Sequence, residues 1–185
     1  MKSLRFIALF ILLTSCAKSP GKLDSLEIKK SVKEWINRKL IFPDSLLQLK
    51  NDTLSFVKTE RFKTRNLKIV TFISGECYSC VKTLNLWANL IDSLDRFDKI
   101  EFIPIILTFD TDQFINDFYT DSPKTLELYI DQDLKFVTNY TLPNDFTLRT
   151  FLLNADNIVL LIGNPLYKNE VLKLYLEEIK SHENF

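Results

Sequence analysis

From residue 24 onward, the spacing of apolar and polar positions divides the chain into helical and strand-like segments. Over 24–40, Ile28, Val32, Trp35, Ile36 and Leu40 recur near the helical period. Asp24 or Ser25 stands where an N-cap belongs, and Ile41-Phe42-Pro43-Asp44 ends the helix. Residues 45–66 are largely polar, with one short strand expected at 54–57. Residues 67–74 are apolar almost throughout, as strands buried on both faces are. A second helix covers 79–94, with Val81, Leu84, Trp87, Ala88, Ile91 and Leu94 on one face. A strand follows at 100–108. Pro104 interrupts it and cannot donate to a ladder, so a free edge or a bulge is expected there.

The remainder alternates in the same way. A short helix is expected at 111–119, with Asp110 and Asp112 at its start as caps. A strand at 126–130 and a helical turn at 134–140 come next. Strands at 147–153 and 158–162 flank the turn formers Asn154-Ala155-Asp156-Asn157, which predicts a hairpin. The last helix, 169–181, turns Val171, Leu174, Tyr175 and Ile179 inward. After residue 66 the order is therefore β-α-β-α-β-α-β-β-α.

The candidate chemistry lies at one of these junctions. Cys77-Tyr78-Ser79-Cys80 follows the apolar strand and opens the second helix. A helix N-terminus carries partial positive charge and unpaired N–H groups, and both favour a thiolate. This places Cys77 as the attacking thiol and Cys80, in the first helical turn, as the resolving one. Glu76 opposes the thiolate, since a neighbouring negative charge disfavours it. Tyr78 and Ser79 fill the redox loop, and no Lys, Arg or His lies between the two cysteines.

The start of the chain reads as an address. Met1-Lys2-Ser3-Leu4-Arg5 is basic, residues 6–13 are apolar, and Leu13-Thr14-Ser15-Cys16 matches a bacterial lipobox. The expected division is a lipoprotein signal peptide over 1–15, a lipidated tether over 16–22, an N-terminal helical extension over 23–61 and the main domain over 62–185. Cys16 would carry the lipid and hold the protein to a bilayer. The apolar run is far short of the roughly 20 residues that span one. An exported lipoprotein, anchored to an inner or outer membrane and facing the periplasm or the cell surface, is the localisation this implies.

Composition narrows the function further. Cleavage before Cys16 removes Lys2 and Arg5 and leaves 22 basic against 24 acidic side chains, so nothing points to nucleic acid. With Cys16 lipidated, Cys77 and Cys80 are left as each other's partner. A ring this small does little for stability, which favours chemistry over stapling. The one histidine, His182, lies in a charged tail. Two Cys and a remote His fall short of the four ligands zinc normally takes, so no metal and no cofactor is expected. Trp35 and Trp87 read as core anchors.

Three stretches together give the chain a family likeness. Ile69-Val70-Thr71-Phe72 with Cys77-Tyr78-Ser79-Cys80, the stretch Thr150-Phe151-Leu152-Leu153-Asn154-Ala155-Asp156-Asn157-Ile158-Val159, and Gly163-Asn164-Pro165 resemble the thioredoxin-like family. The likeness is to lipid-anchored bacterial members of the TlpA/ResA-like group and covers about 62–185. It implies an α/β fold, a central mixed sheet flanked by helices, here with an N-terminal helical extension. It also implies a thiol–disulfide oxidoreductase acting on exported proteins with disulfides or thiols, re-reduced by a membrane electron donor of the DsbD type. Two positions depart from the pattern. Glu76 stands where the family has Trp. Leu148 stands in register with a substrate-facing cis-proline, the nearest proline being Pro143. Either Pro143 reaches the site by a local insertion or the cis-proline is absent. The alternative to catalysis is a binding or redox-sensing lipoprotein on the same fold.

Overall fold

A computed structural model describes residues 25–63, 66–94, 100–117 and 119–182. The expected signal segment, Cys16, the tether and Asp24 lie outside the described residues. The elements run α1 (Ser25–Trp35), β1 (Ser45–Lys50), β2 (Thr53–Lys58), β3 (Leu67–Ser74), α2 (Tyr78–Leu94), β4 (Ile100–Leu107) and α3 (Thr111–Asp117). They continue β5 (Leu128–Asp131), α4 (Lys135–Asn139), β6 (Thr150–Asn154), β7 (Val159–Ile162) and α5 (Asn169–Ser181). All seven strands join one mixed sheet in the order β2-β1-β5-β4-β3-β6-β7. β3 runs parallel to β4 and antiparallel to β6, and β4 runs parallel to β5.

The pleat explains the three layers. Side chains alternate between the faces of a strand. Leu67, Ile69 and Ile73 of β3 pack with Val81, Leu84 and Trp87 of α2 and with Tyr175 and Ile179 of α5. Val70 and Phe72 point the other way, to Trp35 of α1, Phe62 and Phe136 of α4. The strand is apolar throughout because both of its faces are covered. Trp35 and Trp87 are fully buried, each in one of the two cores.

Two differences from the sequence reading have physical causes. First, α1 ends at Trp35, not near Leu40. Asn37 turns into the left-handed region, with φ 64°, and the next residues leave the helix to pair with the β6–β7 hairpin. Asn37 N–H donates to Val159 O at 2.9 Å and Leu40 N–H to Asn157 O at 2.8 Å. Second, the stretch 45–58 forms a hairpin, β1 and β2, and β1 also pairs with β5. The segment expected as a helical extension therefore supplies both a covering helix and two strands of the same sheet. A carboxylate strengthens that seam: Glu127 accepts from Gln48 at 2.7 Å, Tyr129 at 3.0 Å, Arg61 at 3.2 Å and also from Lys50. Burial works against its charge, but these hydrogen bonds and the Lys50 and Arg61 charges outweigh it, and the carboxyl is held below its usual pKa.

The free edge expected at Pro104 is met locally. The proline lies in an interior strand, opposite Thr71 of β3, and the ladder to β5 begins one residue later at Ile105. β4 is thus without a β5 ladder partner at the proline itself. Elsewhere the expected faces hold with two exceptions on the surface: Val32 of α1 and Leu174 of α5 are substantially exposed. The β6–β7 hairpin forms as expected, its turn tied by Asn154 Oδ1, which accepts from Asp156 N–H at 3.0 Å and Ile158 N–H at 2.9 Å.

A candidate redox site at the C-terminal end of the parallel strands

β3 ends at Ser74, and the chain reaches α2 through Gly75, Glu76 and Cys77. Gly75 ties this loop to β4: its N–H donates to Leu107 O at 2.8 Å. A β-carbon there would lie 2.8 Å from Thr108 Cβ and 3.1 Å from Ile106 Cγ2. Such contacts require the backbone to move, because Thr108 and Ile106 are themselves buried. Gly75→Ala is expected to cost about 1–3 kcal/mol, the usual penalty of overpacking. A denaturant titration checks this, and an unchanged midpoint would show that the close approach is no constraint.

Cys77 caps α2. Its carbonyl accepts from Cys80 N–H at 2.9 Å and from Val81 N–H at 3.0 Å. Its Sγ also accepts from Cys80 N–H at 3.3 Å and lies 3.3 Å from Ser79 Oγ. An amide, a hydroxyl and the positive end of the helix thus converge on one sulfur, the arrangement that favours a thiolate. Cys77 and Cys80 have Cα atoms 5.1 Å apart and sulfurs at disulfide-bonding distance. Both cysteines are partly accessible.

Glu76 has a use beyond its charge. Its Oε1 accepts from Phe109 N–H at 2.8 Å and its Oε2 from Ser74 Oγ at 3.2 Å. The carboxylate therefore clamps the loop after β4 against the loop after β3. Phe109, held by this bond, is 84% exposed. Tyr78, the first residue of α2, is exposed, with Lys82 Nζ 4.4 Å above its ring. Asp110 caps α3 as expected, its Oδ1 accepting from Gln113 N–H at 2.9 Å.

A cleft opens beside Cys80. It is lined by residues of β3, by Thr83 and Trp87 of α2, and by Phe146, Arg149, Asn164 and Tyr167. Pro143 and Leu148 are not in this lining. Pro143 is buried, and its carbonyl accepts from Arg149 Nε at 2.6 Å. Leu148 is buried and lines a separate cavity with Ile28 and Val171. Every peptide bond among the described residues is trans. The residue next to β6 that faces the cleft is Arg149, one position past Leu148. Sequence reasoning passed over Arg149, Phe146 and Tyr167. The available signal was a cation directly before Thr150-Phe151-Leu152. Asn164, expected only to turn the chain, also lines the cleft.

No protein-family model and no curated protein matches the sequence. Solved structures do match. A Chlorobium tepidum protein, provisionally assigned as the thiol:disulfide interchange protein DsbE, superposes with a TM-score of 0.58 at 18% identity, over 78% of this chain and 99% of its own. The reduced 2-Cys peroxiredoxin of Plasmodium vivax gives 0.60 at 15% identity, over 82% of this chain and 84% of its own. The thioredoxin domain of a thiol-disulfide oxidoreductase from Bacteroides vulgatus gives 0.54 at 12% identity, over 75% and 94%. The fold is thioredoxin-like, a mixed sheet flanked by helices. Its structural neighbours include thioredoxin-like thiol–disulfide oxidoreductases, and this chain places a Cys77–Cys80 pair at bonding distance on that fold.

Proposed function

We propose that the protein is a membrane-tethered thiol–disulfide oxidoreductase that acts on exported proteins and reduces rather than oxidises them. The observation that carries this reading is Cys77 at the N-cap of α2, with Cys80 N–H and Ser79 Oγ directed at its sulfur. In the reduced form the Cys77 thiolate attacks one sulfur of a partner disulfide. The partner's S–S bond breaks, its second sulfur leaves as a thiolate and takes a proton. Cys80, deprotonated, then attacks the Cys77 sulfur and releases the partner's first sulfur. Two electrons pass from the dithiol to the partner, and Cys77–Cys80 closes. The ring closes readily because both sulfurs sit in one helical turn.

The direction rests on the site's charges. A thiolate stabilised strongly by cations makes a dithiol oxidising. Here Tyr78 and Ser79 separate the cysteines, and Glu76 precedes them. Tethering rests on Leu13-Thr14-Ser15-Cys16, and no helix among the described residues is long and apolar enough to cross a membrane. A DsbD-type membrane donor would restore the dithiol. The test uses the full chain in membranes with insulin as the disulfide substrate and dithiothreitol as reductant. Turnover above the uncatalysed rate is expected, and Cys16→Ala is expected in the soluble fraction. Absence of turnover on any disulfide favours a binding or sensing role for the same pair.

A further inference from the structure

We infer that the cleft beside Cys80 is a subsite for an acidic side chain of the substrate, with Arg149 as the residue that selects it. The inference rests on the oxidoreductase reading and names the substrate class for it. Arg149 is the one charged side chain among the residues that line the cleft. Among the described residues, two of its five N–H donors have partners, Nε on Pro143 O at 2.6 Å and Nη2 on Asn144 O at 3.4 Å. These bonds fix the guanidinium on carbonyls without neutralising it. Burial works against its charge and Asp145 supports it, but that carboxylate is turned to Thr147, accepting from its N–H at 2.7 Å and its hydroxyl at 2.6 Å. It does not line the cleft.

Two other polar groups of the lining lean the same way. Trp87 is fully buried, and its indole N–H finds no acceptor among the described residues. Asn164 Oδ1 already accepts from Leu166 N–H, which leaves its amide N–H groups as donors, whereas Thr83 and Ser74 spend their hydroxyl protons on protein acceptors and add no donor. The lining therefore offers donors and positive charge, and no carboxylate. A carboxylate is the side-chain group that takes both, and a guanidinium binds it with charge-assisted hydrogen bonds.

Main-chain recognition is closed off at the same place. Arg149 N–H donates to Phe146 O at 3.2 Å, and Arg149 O accepts from Phe72 N–H at 2.9 Å. A substrate strand cannot pair with this residue's backbone, so side chains must do the recognising. The geometry suits a residue close in sequence to the reacting cysteine. Cys77 and Cys80 have Cα atoms 5.1 Å apart, and an extended peptide advances about 3.3 Å per residue. A partner joined to Cys77 thus brings the residue one or two places along over the cleft. Phe146 and Tyr167, in edge contact at 5.5 Å, wall its mouth and are partly exposed to that chain.

The test compares two disulfide-linked peptides that differ only in Glu or Lys next to the cysteine, with the reduced full chain. Wild type is expected to reduce the Glu peptide about tenfold faster in kcat/KM, a difference of about 1.4 kcal/mol, and to lose part of that ratio as salt rises. Arg149→Gln brings the ratio to one, and Arg149→Lys retains a preference for Glu. A wild-type ratio of one, or an unchanged ratio in Arg149→Gln, overturns the inference. Binding of the same peptides with Ser in place of Cys, followed calorimetrically on the oxidised full chain, separates the two claims. Preferential binding of Glu without turnover sinks the oxidoreductase reading alone. Turnover with no Glu preference in either assay sinks the subsite alone.

Discussion

Cys77→Ser is expected to abolish disulfide reduction, lowering turnover of insulin by at least about a thousandfold, as loss of a nucleophile does. Serine at this position keeps the N-cap, since its oxygen can accept from Cys80 N–H as the sulfur does. The fold should therefore persist while the chemistry stops. Cys80→Ser separates the two half-reactions. The Cys77 sulfur still attacks, but nothing displaces the partner, and a mixed disulfide accumulates that mass spectrometry detects. Retention of more than a few per cent of turnover in Cys77→Ser would place the reaction elsewhere. Trapping by Cys77→Ser and not by Cys80→Ser would reverse the roles of the two cysteines.

Trp35→Ala is expected to destabilise the fold by about 3–5 kcal/mol, the range for deleting a buried Trp. Trp35 is fully buried, with its ring 4.6 Å from Phe151 and 5.7 Å from Tyr140, and Arg38 lies 4.9 Å over it. Phe151 belongs to β6, which pairs with β3. The N-terminal helix therefore caps the second core and is not an appended arm. Urea unfolding measures the effect. A loss below about 1 kcal/mol, with an unchanged m-value, would mean that α1 contributes little to the cooperative unit. A large loss carries a functional consequence. Trp35 packs on Phe151, β6 pairs with β3, and β3 leads to the dithiol.

The parts of this architecture that the sequence made legible are those with strong local signals. β3 is an unbroken apolar run, α2 has one apolar face from Val81 to Leu94, and Asn154 to Asn157 can do little but turn. All three appear within a residue or so of their expected limits. β1 was illegible for the opposite reason. Leu46, Leu47, Gln48 and Leu49 are all buried, so no alternation marks a strand, and Gln48 looks polar without its partner Glu127. The end of α1 was hidden because Ile36 and Leu40 continue the helical period while the backbone turns at Asn37 to pair with the hairpin. That pairing is long-range and leaves no local trace.

The candidate site divides in the same way. Cys77 and Cys80 are visible because spacing and position alone bring them together. Glu76 was seen as a charge next to a thiol, but its bond to Phe109 N–H depends on the loop after β4. Arg149 became visible only once β6 was in register with β3, which carries Arg149 O to Phe72 N–H and its side chain to the cleft. Gly75 reads as an ordinary loop glycine until Thr108 is placed against it.

The central claim is that Cys77 and Cys80 form a working redox pair poised to reduce, and its reduction potential tests that most directly. The full chain is equilibrated in graded glutathione and dithiothreitol buffers, and free thiols are counted by alkylation and mass. The account predicts a reversible two-electron transition between about −200 and −300 mV, the region of thioredoxin and the glutaredoxins. A midpoint near −120 mV, the region of strong oxidants, would contradict the reducing direction, and a pair that never closes would contradict redox chemistry at this site altogether.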